Sequence, residues 1–309
     1  MIRAGVIGVG SLGQHHARIF ASLPGVRLAG VSDIDAERGA MIAARHEAPF
    51  FADFHEMVDK VDCVSVATPT TDHLRACRPF LEAGRHVLVE KPIAATLDEG
   101  REMIRLAEAS GAVLQVGHLE RFNPAFLAAR PLIDGPRFFE IHRLGVFVPR
   151  SLDVNVVLDL MIHDLDMVLH LTGSKIREIQ AVGIPILTGK IDIANVRLRF
   201  ENGAVANLTA SRVSSEKTRK LRFFQPSAYI SIDLGKQTAN AYTLQPADNP
   251  LGKEIVHRPL PIEPGEPLKN ELAAFIRSIQ ERGNHGCSGA EGLAALEAAH
   301  RILREMETV

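Results

Sequence analysis

A glycine-rich segment near the start of the chain restricts its possible folds more than any other feature. The segment reads Gly8-Val-Gly-Ser-Leu-Gly13 and directly follows the short apolar run 2–7. That run has the pattern of a buried strand, and residues 12–23 carry apolar side chains at helical spacing. A strand that passes through such glycines into a helix is typical of a dinucleotide-binding βαβ unit.

Each part of this segment has a physical role in holding a diphosphate. Gly8 permits the tight turn, Gly10 lets the backbone approach a pyrophosphate, and Gly13 lets the helix pack closely on the strand. Ser11 and Leu12 lie where the helix begins, with its unpaired N–H groups and the positive end of its dipole. We predict that these five residues bind the cofactor.

An acidic residue after the next apolar run indicates which dinucleotide is bound. Asp33 lies 20 residues after Gly13 and follows the predicted strand 26–31. A carboxylate there accepts hydrogen bonds from the ribose hydroxyls of NAD and repels the 2′-phosphate of NADP. We predict NAD, and NADP stays open because the nearby Arg38 could pair with a 2′-phosphate.

The chain alternates short apolar runs with helical patterns as far as residue 120. This alternation predicts an α/β Rossmann domain over 1–120, with a parallel sheet covered by helices on both faces. The predicted strands are 2–7, 26–31, 63–67, 87–90 and 113–116, and the predicted helices are 12–23, 36–46, 74–83 and 97–110.

The rest of the chain, 121–309, is predicted to be an α+β domain with a largely antiparallel open sheet. Alternating residues at 196–201 lead through Asn202-Gly203 into 205–209, which predicts a hairpin. The proline-rich stretch 245–266 is predicted to be a surface loop with limited extended structure. Further predicted elements are a strand at 229–233 and helices at 156–171, 268–280 and 289–306.

Composition excludes several classes of protein. Lys and Arg number 35 against 37 Asp and Glu, so no basic field exists to hold nucleic acid or an anionic membrane. The three cysteines lack CxxC spacing, which favours a reducing cytoplasm over a disulfide or metal framework. No signal peptide is recognisable, and no apolar run reaches the roughly 18 residues that span a bilayer. We expect a cytoplasmic protein with a small-molecule partner.

Two further strand ends carry polar residues at the sheet edge where ligands bind in such folds. One includes Thr68, Pro69 and His73, and the other is Glu90-Lys91 followed by a proline. The proline ends the strand, so Lys91 is expected to point into the crevice, where it can bind a substrate hydroxyl or assist its deprotonation. The alternative is an ordinary surface pair between Glu90 and Lys91.

A carboxylate and an imidazole share one face of the predicted helix 156–171. Asp159 and His163 are four residues apart, and Asp166 falls near the same stripe. This pair is the minimum for an oriented general acid–base, although satisfied structural polar residues would give the same pattern. Two ligands without a third at matching spacing argue against a metal site.

These separated motifs together resemble the Gfo/Idh/MocA oxidoreductases, the family of glucose–fructose oxidoreductase and inositol dehydrogenase. The resemblance covers essentially the whole chain. It implies that Lys91, Asp159 and His163 line the site where a sugar or polyol meets the nicotinamide. It also places His118 near the nicotinamide and implies a dimer or tetramer formed through the open sheet. We expect Thr68, Pro69, His73 and Glu90 to border the nicotinamide ribose, with Lys91 beside them.

Segments 117–124, 158–164 and 224–233 resemble one branch of this family, the bacterial UDP-N-acetylglucosamine 3-dehydrogenases, which work beside an aminotransferase in making diamino-sugar lipid A. Many family members have glycines where this chain has Asn155-Val156 and Met161. The loss of those glycines fits a nucleotide sugar better than a small free sugar.

An anionic substrate requires cationic contacts. Arg121, Asn123 and Arg150 are predicted to bind the substrate. A basic cluster that contains a single acid could hold a diphosphate, and the alternative is a solvated strand pair or a subunit contact. The cluster consists of Arg212, Lys217, Arg219, Lys220 and Arg222.

The resemblance predicts an NAD(P)-dependent sugar dehydrogenase that oxidises C3 of UDP-N-acetylglucosamine to a 3-keto sugar. His163 is the first choice for the base because an imidazole normally titrates near pH 6.5. Lys91 would stabilise the alkoxide and Asp159 would orient the pair, with the roles of Lys91 and His163 exchangeable. Alternatives are oxidation of UDP-N-acetylglucosaminuronate or of a free sugar or polyol, NAD-dependent glycoside hydrolysis, and a non-catalytic dinucleotide sensor.

Overall fold

The computed structural model describes residues 1–148 and 154–307, and these divide into two compact units. The first unit contains Met1–Leu119 and Leu268–Leu293, and the second contains Glu120–Pro267 and the residues from Ala294 onward. None of the helices described is both long and apolar enough to cross a membrane.

The elements are numbered along the chain. The strands are β1 (Ile2–Ile7), β2 (Val26–Ser32), β3 (Phe50–Phe51), β4 (Cys63–Val66), β5 (His86–Glu90), β6 (Leu114–Gly117), β7 (Phe138–Leu144), β8 (Ile176–Ile184), β9 (Ile193–Phe200), β10 (Val205–Ser211), β11 (Thr218–Gln225), β12 (Ala228–Asp233), β13 (Thr238–Pro246), β14 (Lys253–Pro259) and β15 (Cys287–Ser288). The α-helices are α1 (Gly13–Ser22), α2 (Ala36–Arg45), α3 (His73–Glu82), α4 (Leu97–Ser110), α5 (Pro124–Ala129), α6 (Ile162–Thr172), α7 (Pro267–Glu281) and α8 (Gly289–Glu307). Short 3-10 turns cover Phe54–Met57, Thr70–Asp72, Leu119–Phe122 and Arg130–Leu132, and Val157–Met161 forms a π-helical turn.

The first unit is built on a sheet with strand order β15-β6-β5-β4-β1-β2-β3. All neighbouring strands in it are parallel except β15 and β6. This is the doubly wound Rossmann arrangement that the alternating pattern predicts. Ile19 and Phe20 of α1 and Leu272 and Phe275 of α7 are fully buried in the same apolar core as Val6 of β1.

The position of α7 and β15 differs from the predicted division at residue 120, which assigned everything beyond it to the second domain. These elements belong to the first unit because the apolar face of α7 lies in that core and β15 extends its sheet. A buried hydrogen bond of 2.7 Å from Gln115 on β6 to Ser278 on α7 adds to the attachment. Helical periodicity predicts the α7 helix, but it does not indicate which sheet the helix covers.

The second unit is built on an eight-stranded sheet with order β14-β13-β12-β11-β7-β10-β9-β8. Only β7 and β10 pair in parallel, so the predicted largely antiparallel open sheet is confirmed. One face is apolar and packs on α5, α6 and the last part of α8, through residues such as Phe126, Leu165 and Ile302. The other face carries side chains that are exposed or half-buried.

The proline-rich stretch 245–266 contains more regular structure than predicted. Strand β14 pairs with β13 over seven residues, from Pro246 opposite Lys253 to Asn240 opposite Pro259. The strand lies at the edge of the sheet, and six of its seven residues are exposed. An exposed edge strand lacks the apolar alternation on which a sequence-based prediction depends, and a proline is tolerated there.

Candidate active site

The carboxyl ends of the parallel strands bring most of the predicted cofactor-binding residues to one edge of the first sheet. Gly8 follows β1, Asp33 follows β2, Thr68 lies just after β4, Glu90 ends β5 and His118 follows β6. Because these strands are parallel, their carboxyl ends meet at the same edge, which is where doubly wound sheets bind ligands.

The glycine segment has the geometry that a pyrophosphate site requires. Gly8 has a φ of +80°, and a β-carbon there would lie 2.8 Å from the carbonyl oxygen of Ala67. A β-carbon at Gly13 would collide with the carbonyl oxygen of Gly8, whereas one at Gly10 would meet no atom within 4 Å. Gly10 therefore borders open space, and its missing side chain leaves room for a ligand rather than for protein. Ser11 and Leu12 are exposed just before α1 begins at Gly13.

Asp33 is held rigidly at the end of β2. Its carboxylate accepts hydrogen bonds from the backbone N–H of Val9 at 2.7 Å and of Asp35 at 2.8 Å. Arg38 adds an ion pair at 2.6 Å. Burial by itself raises the pKa of Asp33, but the hydrogen bonds from Arg38 and the two backbone groups hold it below its usual value. The group is therefore a carboxylate at neutral pH, ready to accept from a ribose diol.

An open cleft runs from the glycine segment past Asp33. It is bounded by Gly8, Gly10, Thr68 and Pro69 on the side of the strand ends. The far side includes Phe54 and Arg75, whose guanidinium lies 5.4 Å from the centre of the Phe54 ring. Neither residue belongs to a recognisable sequence motif, so neither was predicted to line a cofactor site. The cleft, the open space at Gly10 and the ionised Asp33 all fit NAD.

His73 contacts both the segment that follows β4 and the segment that follows β5. Its Nε2 lies 3.1 Å from the carbonyl oxygen of Thr68, and its Nδ1 lies 2.9 Å from that of Pro92. Burial lowers the pKa of His73, although the surrounding carbonyl groups oppose this shift. The residue was predicted to border the nicotinamide ribose. Its imidazole contacts the segment that follows β5, in which Lys91 is half-buried and precedes a cis proline.

Glu90 points to the helix that follows the glycine segment. Its Oε1 lies 3.2 Å from Nε2 of the fully buried His16, and Nδ1 of His16 lies 2.6 Å from the hydroxyl of Ser65. A β-carbon on Gly117 would come within 2.9 Å of the same carboxylate, so this glycine makes room for it. His118, the next residue, is buried at the end of β6.

In the second unit, Asp159 and His163 lie at the start of the long helical segment. The segment was predicted as one α-helix, but Asp159 belongs to the π-helical turn and His163 is the second residue of α6. The side-chain oxygen of Asn155 accepts from the backbone N–H of Leu158 at 3.0 Å and so caps the turn. Asp159 and His163 are both half-buried. π-Helical turns often occur at functional sites.

The three residues that the resemblance sets in place of glycines have structural roles. Asn155 forms the cap, while Val156 and Met161 are completely buried in the core of the second unit. The side chains of Val156 and Met161 therefore fill part of the core of the second unit.

Two predicted substrate-binding residues are engaged within the second unit. Arg121 is 7% exposed and donates to both carboxylate oxygens of Asp166, at 2.6 and 2.8 Å. Asn123 is buried, caps α5 through the N–H of Ala125 and donates to the carbonyl oxygen of Leu234. Arg150, the third such residue, lies outside the described residues.

A buried ionic group supports the helix that carries His163. Arg143 on β7 donates to Asp164 through Nε and Nη2 and to Glu120 at 2.9 Å. All three side chains are at most 5% exposed. Burial lowers the pKa of Arg143, but the two carboxylates outweigh that effect and hold it above its ordinary value.

The chain matches two family descriptions that together cover most of its length. Residues 2–118 match the oxidoreductase family with an NAD-binding Rossmann fold, Gfo/Idh/MocA. Residues 135–232 match the Gfo/Idh/MocA C-terminal domain. The predicted cofactor, NAD, and the predicted fold class are thereby confirmed.

Individual relatives are similar over nearly the whole chain. UDP-N-acetylglucosamine 3-dehydrogenase of Acidithiobacillus ferrooxidans is 37% identical over 302 residues, which cover 97% of this chain and 96% of that protein. A solved structure of that enzyme superimposes with a TM-score of 0.93 at 36% identity, covering 99% of this chain and 98% of the other. Inositol 2-dehydrogenase of Rhizobium meliloti is 25% identical over 332 residues, covering 99% of this chain and 97% of that protein.

Proposed function

The chain belongs to the Gfo/Idh/MocA oxidoreductases, and we propose that it oxidises the C3 hydroxyl of UDP-N-acetylglucosamine to a ketone. The observation that carries this proposal is the 37% identity to a UDP-N-acetylglucosamine 3-dehydrogenase along 97% of the chain. A pocket in the second unit that joins a carboxylate to several cationic side chains fits a nucleotide sugar better than a neutral polyol.

NAD supplies the acceptor for the hydride that leaves C3. We propose that the glycine segment 8–13 binds its pyrophosphate and that Asp33 accepts from its adenine ribose. For this, the Asp33 carboxylate exchanges its contact with Arg38 for the ribose hydroxyls, or shares both. Thr68, Pro69, His73, Glu90 and His118 are proposed to lie along the nicotinamide half.

We propose that His163 takes the proton of the 3-hydroxyl while Lys91 donates a hydrogen bond to its oxygen. An imidazole can accept a proton near neutral pH, and an ammonium group stabilises the developing alkoxide. Asp159, one helical turn before His163, binds a neighbouring hydroxyl or orients the base. Positioning of C3–H by these groups supplies much of the rate.

The proposal is tested by following NADH absorbance with UDP-N-acetylglucosamine, UDP-N-acetylglucosaminuronate and free sugars in parallel. Because a 3-keto equilibrium can be unfavourable, a glutamate-dependent aminotransferase is added to remove the product. NADH formed only with UDP-N-acetylglucosamine supports the proposal. Turnover of a free polyol but of no UDP sugar refutes the substrate and leaves the family unaffected.

Variants test the residue roles. Lys91→Ala and His163→Ala are each expected to lower kcat by at least about a hundredfold, as for loss of a general acid–base group, with little change in NAD affinity. Lys236→Ala, an exposed lysine in the turn after β12, is the control. Normal kcat in both site variants would show that neither residue acts on the substrate.

We also propose that the protein is a homo-oligomer that associates through the open face of the second sheet. A row of stacked rings crosses this face, with centroids 4.5 Å apart for Phe224 and Tyr229 and 5.1 Å apart for Tyr229 and Tyr242. Phe224 is exposed and the two tyrosines are half-buried, and partly exposed aromatic rows of this kind mark association surfaces. Light scattering should give a dimer or tetramer, and Tyr229→Glu with Tyr242→Glu should give monomers.

We place the reaction in the cytoplasm, which the free thiols of the buried Cys63, Cys77 and Cys287 support. There the 3-keto product would be the substrate of an aminotransferase, as the resemblance to the lipid A branch implies.

A further inference from the structure

The structure divides the basic cluster between the two faces of the second sheet. Along β11, Leu221 and Phe223 point into the core, so Arg219 lies on the same side and Lys220 and Arg222 lie on the opposite side. Arg222 accordingly lies near Glu140 on that opposite face, at 3.9 Å. Only part of the cluster can therefore act at the pocket of Asp159.

Among the residues that the structure describes, four cationic side chains and the carboxylate of Asp159 line that pocket. The cationic residues are Arg143, Arg212, Lys217 and Arg219. Gly145 and Leu160 form part of its wall. The pocket therefore offers an acceptor for hydroxyl or amide groups and donors for an anion within one cavity.

Two of the four cations are already committed to protein groups. Arg143 is neutralised by Asp164 and Glu120 in the buried ionic group. Arg212 is 7% exposed, lies 3.9 Å from Asp192 and donates to the carbonyl oxygen of Val154 at 2.6 Å. These two side chains shape the pocket, and their charge is compensated.

The other two cations keep their charge available. The side chain of Arg219 is 39% exposed, and it lies 3.8 Å from the carboxylate of Glu120, which also binds Arg143. Lys217 is exposed, and within the described part of the chain no carboxylate is recorded as its ion-pair partner. Both residues line the pocket, and neither side chain is buried.

We propose that Lys217 and Arg219 bind the diphosphate of the substrate, while Asp159 in the same pocket contacts its sugar. This inference rests on the proposed function, because it assigns the part of the site that separates a nucleoside diphosphate sugar from a free sugar. Arg219 supplies a planar donor fork suited to phosphate oxygens, and Lys217 supplies a mobile point charge. A neutral polyol carries no anionic group with which these two cations could pair.

The test measures the binding of UDP, which cannot be oxidised at a sugar, by titration calorimetry to the full-length protein saturated with NAD. The variant Lys217→Met with Arg219→Met is compared with a charge-matched control, Lys190→Met with Lys236→Met. The control lysines are exposed, lie in turns and do not line the pocket. Loss of two charge-assisted contacts is expected to weaken UDP binding by about tenfold or more, and the control should stay within about twofold.

Uridine, which lacks phosphate, separates a phosphate contact from a general change in the pocket. Its affinity should be the same in the unmodified protein and in the Lys217→Met, Arg219→Met variant. Equal UDP affinity in all three proteins overturns the inference, as does an equal loss of uridine and UDP binding or failure of the unmodified protein to bind UDP.

These outcomes are distinct from failure of the proposed function. If UDP binding depends on Lys217 and Arg219 but UDP-N-acetylglucosamine gives no NADH, the phosphate contact stands and the proposed oxidation is wrong. If NADH is formed and the KM for the sugar nucleotide is the same in the Lys217→Met, Arg219→Met variant as in the unmodified protein, the oxidation stands and the phosphate contact is wrong.

Discussion

Replacing Arg143 with methionine should destabilise the second unit strongly, because it removes the hydrogen-bonded cation of two buried carboxylates and leaves Glu120 with only the more distant Arg219, at 3.8 Å. Arg143 donates to Asp164 and to Glu120, whose side chains are 3% and 5% exposed. Methionine fills a similar volume, so the variant tests the charge rather than a cavity. Removing one member of a buried ion pair typically costs about 3–5 kcal/mol.

The magnitude can be compared with a matched exposed pair in the same sheet. Arg222 lies 3.9 Å from Glu140, and both side chains are at least one-third exposed. Exposed pairs contribute about 0–1 kcal/mol, so Arg222→Met should have a small effect. For a unit of this size, about 3–5 kcal/mol corresponds to a fall in Tm of roughly 6–20 °C.

The assay is urea unfolding followed by circular dichroism, with the free energy of unfolding extrapolated to water. A third variant combines Arg143→Met with Glu120→Gln and Asp164→Asn, which removes the uncompensated charges. It should recover part of the lost stability, since neutral amides cost less to bury than carboxylates. If Arg143→Met changes the free energy of unfolding no more than Arg222→Met does, the carboxylates are not effectively buried and the reasoning is refuted.

Three further predictions concern the glycine segment, the ribose contact and acid stability. Gly13→Ala should lower Tm because the added β-carbon collides with the carbonyl oxygen of Gly8, whereas Gly10→Ala should leave Tm unchanged and weaken NAD binding. Thermal unfolding and NADH titration measure the two effects, and equal Tm values for the two variants would contradict this prediction. Asp33→Asn should weaken NAD binding by about tenfold and reduce the preference for NAD over NADP; an unchanged ratio of the two Kd values would remove the carboxylate from the ribose. Burial raises the pKa of Asp192, but hydrogen bonds from neighbouring backbone groups and a threonine hydroxyl lower it to about 2. The ionised Asp192 therefore contributes its full stabilisation above its ordinary pKa of 3.8, and this stabilisation is lost as the pH falls toward 2. The difference in urea midpoint between the native chain and Asp192→Asn should shrink over that pH range, and a constant difference would contradict the assignment.

The fold of the first unit was largely predictable because its strands are continuous apolar runs that end in glycine, acidic or proline signals. The same logic placed Gly8, Asp33 and Glu90 at one sheet edge, since parallel strands share a direction. The hairpin turn at Asn202-Gly203 was also predictable, because this dipeptide favours the backbone of a two-residue turn, and Gly203 has a φ of +85°.

Pairings between distant residues were not predictable from one sequence. The sequence indicated Arg121 as a substrate contact, but it did not indicate the bond of Arg121 to Asp166, 45 residues away. A buried ion pair carries no local signal, because either residue alone is typical of a surface or a site. The division of the basic cluster between two faces could have been predicted from the sequence, since alternate residues of a strand point to opposite faces. That prediction required β11 to be identified as a strand first.

The return of the chain to the first unit has a consequence for synthesis and for fragments. On the ribosome, the first 120 residues emerge without α7 and β15, so the core around Ile19 and Phe20 stays uncovered on one side until residue 281 has been made. Domains usually fold in order as the chain emerges, but here the first unit must wait while the entire sheet of the second is translated. Expression of residues 1–120 alone should therefore give an aggregation-prone protein, and a separate nucleotide-binding fragment would need residues 268–293 joined back to it.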